Sequence, residues 1–468
     1  MTRVIRASDA ARSGRVEAEP VTPLDVLLAL TTPLLLASSA LPRRTRPVGV
    51  AASAAVSAAL VLTALVLDGV RWPTAVLAAA AVLALAVALA RLRPPRRPRR
   101  RAATVLARLG GATAGTLAVL LALGATGANW ALPRFSLPAP SGPHAVAETT
   151  LQWERPHPGP SPRTIVGRLW YPTVQRPDPG GVAYLGRDAG ESTIVAAALA
   201  EDFGAPAFLF DEVARGRVPA AADAMPSPGR WPVIVLSPGL GGVRAQNTSL
   251  AMELASHGYA VLAIDHPGDS SATVLEDGTV VRSNLADDPA TADALIGEWA
   301  LRRAADLSSA LDELERIAEG ARTDAAGRRL AGALDPARAI AAGHSLGGAS
   351  AILAAGLDPR FAAAVDLDGY PWLAETLGAL PPVLALVAGE GTGDAEADDR
   401  YRAALDAMLA ASSAPQRVEV AGASHLGFTD APAYLPPLPE LVGGSGRDGA
   451  NAESAEAILA FAARVLHG

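Results

Sequence analysis

The sequence predicts a mostly parallel β-sheet flanked by helices, preceded by an all-α transmembrane region of three or four helices. Three observations carry this reading. Long uncharged runs of Ala, Leu and Val fill the first 130 residues, and nearly all the acidic residues follow residue 145. Beyond residue 163, short apolar runs alternate with helical patterns, which is how a sheet covered on both faces reads in a sequence.

In the first region, residues 48–67, 74–90 and 109–128 are uncharged runs long enough to cross a hydrocarbon core about 30 Å thick. Residues 26–41 form a shorter run that holds Pro33 and begins beside Asp25, and reads as a fourth span or an interfacial segment. A cleaved signal peptide accounts for one such run but not for three more reaching past residue 120. Arg43, Arg44 and Arg46 precede the first strong run, and a second Arg cluster fills residues 91–101. By the positive-inside rule both clusters are cytoplasmic, so the last run leads outward. The expectation is a multi-pass cell-membrane protein whose remaining chain lies on the extracytoplasmic side.

Composition excludes several functions. The net charge of −7 averages an Arg-rich membrane part with an acidic remainder, and lends nothing to a nucleic-acid role. Cys is absent, which removes disulfides, thiolate metal sites and a Cys nucleophile. Lys is absent too, so Arg is the only strongly basic side chain.

Residues 1–130 are thus read as the transmembrane region, 131–162 as a linker and 163–468 as the catalytic domain. The linker carries eight prolines from Pro133 to Pro162, a density that forbids a helix, with one strand expected at 149–154. Further strands are expected at 165–170, 233–237, 260–265, 339–343, 362–367, 383–387 and 417–420. Helices are expected at 245–257, 299–317, 349–355, 400–409 and 452–465, the first stopped by Gly258. Residues 172–229 interrupt the alternation with an apolar stretch of their own and are read as a lid or substrate-side insertion.

Gly343-His344-Ser345-Leu346-Gly347 places a G-x-S-x-G pattern directly after an apolar strand and before a helix. That context defines the nucleophile elbow of an α/β-hydrolase fold, where glycines permit a turn too tight for side chains and leave Ser345 exposed. A serine hydroxyl needs a neighbouring base, and in this fold the base follows the serine in the chain. Only His425 and His467 do so, and His467 is penultimate, which leaves His425. The acid that orients this base has four candidates after expected strands: Asp366, Asp368, Glu390 and Asp394. Spacing leaves the choice open. Ser237-Pro238-Gly239-Leu240-Gly241-Gly242 follows an earlier strand and offers Leu240 N–H as an oxyanion donor beside Leu346 N–H.

These segments, with residues 255–266, Asp366-Leu367-Asp368-Gly369 and 425–430, resemble the platelet-activating factor acetylhydrolase family over about residues 164–430. In that family the acid follows the strand after the nucleophile helix in an L-D-x pattern, so the resemblance assigns it to Asp368. It likewise matches the oxyanion amides to Leu240 and Leu346. Pro238 departs from the His that often precedes Gly-Leu-Gly there. The resemblance implies a serine ester hydrolase without metal or cofactor, acting on lipid or short-acyl esters. An acyltransferase using the same triad, and a non-catalytic membrane-tethered binding module, are the alternatives.

Overall fold

In a computed structural model of the chain, the described residues are 2–5, 22–67, 69, 71–93, 101–132, 134–156, 162–284, 289–389, 391, 394–444, 446 and 450–467. The chain divides into two compact units, Val16–Arg134 and Met1–Arg15 with Phe135–Gly468.

The first unit holds helices α1 (Pro23–Ser38), α2 (Arg46–Leu67), α3 (Trp72–Leu92) and α4 (Arg101–Ala131). Arg46–Leu67, Trp72–Leu92 and Val105–Ala131 are long and apolar enough to cross a membrane. With 16 residues, α1 is shorter, about 24 Å at 1.5 Å per residue. Thr22 and Asp25 close its first turn as a capping box, which satisfies amides that would otherwise lack partners. At that end Asn129 Nδ2 of α4 donates to Asp25 Oδ1 at 3.4 Å; at the other, Arg91 Nη1 of α3 donates to Ser39 Oγ at 2.8 Å. Thus α1 runs beside its neighbours from the end of α4 to the end of α3. Small residues at the contacts, among them Ala64, Ala80, Ala84 and Ala118, let the helices approach closely.

The second unit is built on a ten-stranded sheet. Its strands are β1 (Thr2–Ile5), β2 (Ala145–Arg155), β3 (Arg163–Thr173), β4 (Ala221–Ala222), β5 (Trp231–Ser237), β6 (Ala260–Ile264), β7 (Leu334–His344), β8 (Phe361–Leu367), β9 (Val383–Ala388) and β10 (Pro415–Val420). They lie in the order β1-β10-β9-β8-β7-β5-β6-β3-β2-β4. Only β2 with β3 and β3 with β6 pair antiparallel; every other pairing is parallel. The longer helices are α5 (Ala189–Asp202), α6 (Thr248–Ser256), α7 (Pro289–Ala318), α8 (Leu346–Leu357), α9 (Ala395–Ala410) and α10 (Asn451–His467).

Period-two alternation feeds two cores at once. Ile234, Leu236, Ile340 and Ala342 face one core, with Leu250 and Leu254 of α6 and Ile458 and Phe461 of α10. Val233, Val235, Ala339 and Ala341 face the other, with Leu307, Leu311 and Leu314 of α7 and Leu405 of α9. Central strands buried on both faces have no solvent-facing side, hence their nearly continuous apolar reading. After β5 the chain places β6 on one side and β7 on the other. The strand order therefore reverses at β5 and β7, and a crevice opens beyond their carboxyl ends.

The Pro-rich stretch 131–162 contains β2, whose eleven residues pair in full with β3. Its prolines cluster before 144 and after 155, which leaves the strand free of them. Residues 172–229 contain α5 and the two-residue strands Val182–Ala183 and Arg217–Val218, which pair with each other, besides β4. A buried Arg244 joins Glu191 in the first turn of α5 to Asp265 after β6, fastening this insertion to the sheet.

Candidate active site

The switch-point crevice is where the sequence candidates converge. Strand β7 ends at His344, and Ser345 follows with φ 56° and ψ −124°, a left-handed region that costs a non-Gly residue energy. Surroundings enforce it. A Cβ at Gly343 would lie 2.2 Å from the carbonyl of Gly347, and one at Gly347 would lie 2.2 Å from Ser237 O. No side chain fits between the elbow and the end of β5, which is why glycine stands at both positions. Leu346 then opens α8, where Gly348 N and Ala349 N donate back to Ser345 O at 2.9 and 3.2 Å.

The Gly-rich loop after β5 lies against this turn. A Cβ on Gly239 would sit 3.4 Å from Ser345 Cβ. Gly242 N donates to Gly239 O at 3.0 Å, and Gly241 adopts φ 72°, closing a tight turn that leaves the Leu240 side chain partly exposed.

Asp368 and His425 arrive from the far side. Asp368 follows the last residue of β8, and its Oδ1 accepts from Ala388 N at 2.8 Å. Its Oδ2 is 2.7 Å from His425 Nδ1, which fits an Nδ1–H imidazole donating to the carboxylate. His425 opens a one-turn 3₁₀ segment that Ser424 Oγ caps by accepting from Gly427 N at 3.2 Å. Ser345, His425 and Leu240 line one cavity of about 850 Å³, together with Tyr184, Phe203 and Leu426.

Two of the other acid candidates are engaged elsewhere. Asp366 is fully buried and accepts from Gly369 N; burial and the nearby Asp368 raise its pKa well above the usual carboxylate range. Asp394 caps α9, accepting from Glu396 N and Ala397 N. Glu390 lies outside the described residues.

Two arrangements escaped the sequence reading. His344, the residue before Ser345, is buried with its pKa lowered to about 3, first by burial and then by His425. As a neutral ring it fits donation from Nε2 to His425 O and acceptance at Nδ1 from Gln246 Nε2, both at 2.9 Å. The second is a buried Ser-His-Asp chain: His266 Nε2 is 2.8 Å from Ser237 Oγ, and Nδ1 is 2.9 Å from Asp306 Oδ2. All three side chains are sealed from solvent, so this chain fixes the end of β5 and meets no substrate. Burial lowers the His266 pKa to about 4. Nothing in the spacing of Ser237, His266 and Asp306 signals that they meet.

A serine on a strained strand-to-helix elbow at the switch point of a mostly parallel sheet defines an α/β-hydrolase. Residues 131–438 match the family described as platelet-activating factor acetylhydrolase, isoform II, and the chain belongs to that family. A platelet-activating factor acetylhydrolase from Cavia porcellus is 28% identical over 145 residues, which cover 29% of this chain and 30% of that protein. The match thus spans under a third of that relative. Among solved structures, a ferulic acid esterase from Streptomyces cinnamoneus superimposes with a TM-score of 0.56 at 28% identity, covering 72% of this chain and 94% of its own.

The two buried imidazoles set an acid limit on stability. Unfolded, each titrates near 6.5, roughly its free value; folded, they resist protonation until about 3 and about 4. Below pH 6.5 these two histidines therefore bind more protons in the unfolded chain than in the fold, and the stability they contribute falls as pH drops through that window. Between pH 7 and pH 4 the melting temperature of the wild type should change more unfavourably with falling pH than that of His266→Gln. An unchanged slope in the variant would remove His266 from the account.

Proposed function

We propose that the chain is a membrane-anchored serine ester hydrolase acting through an acyl-enzyme. Ser345 is the nucleophile, His425 its general base and Asp368 the acid that orients the base. The observation that carries this reading is the 2.7 Å contact between His425 Nδ1 and Asp368, at the rim of the cavity that Ser345 lines. Bound to Asp368 through Nδ1, the ring keeps Nε2 as the acceptor for the Ser345 proton, and the carboxylate stabilises the imidazolium that forms. The serine oxygen attacks the ester carbonyl and the alcohol leaves with the proton from His425. Water, deprotonated by His425, then releases the acid. Leu240 N–H and Leu346 N–H are the donors for the oxyanion of both tetrahedral intermediates.

The substrates proposed are lipid or short-acyl esters. Family membership, apolar cavity walls from Tyr184, Phe203 and Leu426, and three helices of membrane-crossing length support this class.

The catalytic unit is proposed to lie on the extracytoplasmic side, reached by four crossings. The Arg clusters at 43–46 and 91–101 favour the cytoplasm. In addition, β1 pairs with β10 over Thr2–Ile5, and a chain that leaves one sheet and returns to it favours an even number of crossings.

Hydrolysis of p-nitrophenyl acetate, butyrate and laurate by the full chain in detergent tests the chemistry. Ser345→Ala should abolish turnover, and Asp368→Asn should lower kcat roughly 10³- to 10⁴-fold by presenting the wrong tautomer. Full turnover in Ser345→Ala would refute the mechanism. Because the chain has no Cys, single cysteines report topology without background. A membrane-impermeant maleimide on intact cells should label Ser8→Cys and Ser141→Cys but not Arg97→Cys; the inverse pattern would place the catalytic unit inside.

A further inference from the structure

We infer that Arg303 is a positioning residue that aims the Leu240 amide at the reacting carbonyl by holding the back of the peptide that carries it. This rests on the oxyanion role proposed for Leu240.

Arg303 sits in α7 with no solvent exposure, in the layer behind the loop that follows β5. Its guanidinium spreads over that loop. Nη1 donates to Pro238 O at 2.7 Å and to Gly239 O at 3.2 Å, Nη2 donates to Gly239 O at 3.3 Å, and Nε donates to Asp269 Oδ2 at 3.2 Å. Asp269, also fully buried, lies in the turn after β6 and balances the charge. Burying a charge is costly, and an apolar side chain of similar volume often serves stability as well or better. What an apolar residue could not supply is a grip on two peptide oxygens.

That grip fixes the amide by covalent geometry. The carbonyl of Gly239 and the N–H of Leu240 belong to one planar trans peptide and point in opposite directions. Drawing Gly239 O toward α7 therefore turns Leu240 N–H away from α7. The adjoining loop carbonyl is held as well, since Gly241 O accepts from Ser271 N at 2.8 Å. On its other flank, the loop rests against Ser345, as the close approach at Gly239 shows. A cation bonded to the carbonyl also polarises the peptide and strengthens its N–H as a donor. Both effects matter most when negative charge develops on the substrate oxygen, so they act on the transition state more than on substrate binding.

The test compares wild type, Arg303→Met and Asp269→Asn as full chains, with active sites counted by fluorophosphonate labelling so that misfolded protein drops out. Arg303→Met should lower kcat on p-nitrophenyl butyrate by roughly 10- to 100-fold, short of the loss from deleting an oxyanion donor, with KM within about threefold. Affinity for a tetrahedral boronate inhibitor should fall in step with kcat/KM, while affinity for a planar ketone analogue holds. Asp269→Asn, which keeps the guanidinium but loosens it, should show the same split in milder form and carries the test if Arg303→Met does not fold. Wild-type kcat and boronate affinity per labelled site in either folded variant would overturn the inference and leave the hydrolase reading intact. An inactive wild type would overturn both.

Discussion

The site depends on a strand and a helix meeting at Ser345 with almost no space between them. Leaving β7 and entering α8 within one residue forces Ser345 into positive φ, and the fold accepts that strain because β7 is locked between β5 and β8. Gly343 and Gly347 follow from the same constraint: one faces the carbonyl of the other, and the second faces the end of β5. Packing the elbow against β5 brings the Gly-rich loop beside the serine. The proposed oxyanion donors and the proposed nucleophile therefore meet at one contact between backbones.

Around this contact the chain spends many of its buried polar groups. Ser237, His266 and Asp306 fix the end of β5, Arg303 and Asp269 the loop beyond it, and Gln246 and His344 the carbonyl of His425. None of these groups lies on the reaction path proposed here. They hold backbone segments whose orientation decides where amides and the imidazole point. An unpaired buried polar group is expensive, and a satisfied network narrows the conformations open to a loop.

Much of this was legible in the sequence because it repeats locally. Continuous apolar runs marked β5 to β9, the G-x-S-x-G pattern marked the elbow, and chain order isolated His425. Besides the buried bonds of His344 and His266, three features were not legible. Spacing could not choose among Asp366, Asp368, Glu390 and Asp394, because the enclosure of Asp366 and the bond between Asp368 and His425 are made across the fold and leave no local pattern. The pairing of β1 with β10 joins segments separated by the whole membrane region, beyond any local pattern. Arg303 is one of many arginines in the chain, and its partners are peptide oxygens, which leave no mark on a side-chain sequence.

The most direct test of the central claim is peptide mapping by mass spectrometry after a fluorophosphonate has fully inhibited ester hydrolysis. The account predicts one phosphonyl group per chain, on Ser345, with hydrolysis lost in proportion to its occupancy. Loss of hydrolysis with the label on another residue, or hydrolysis that persists with Ser345 fully labelled, would contradict it.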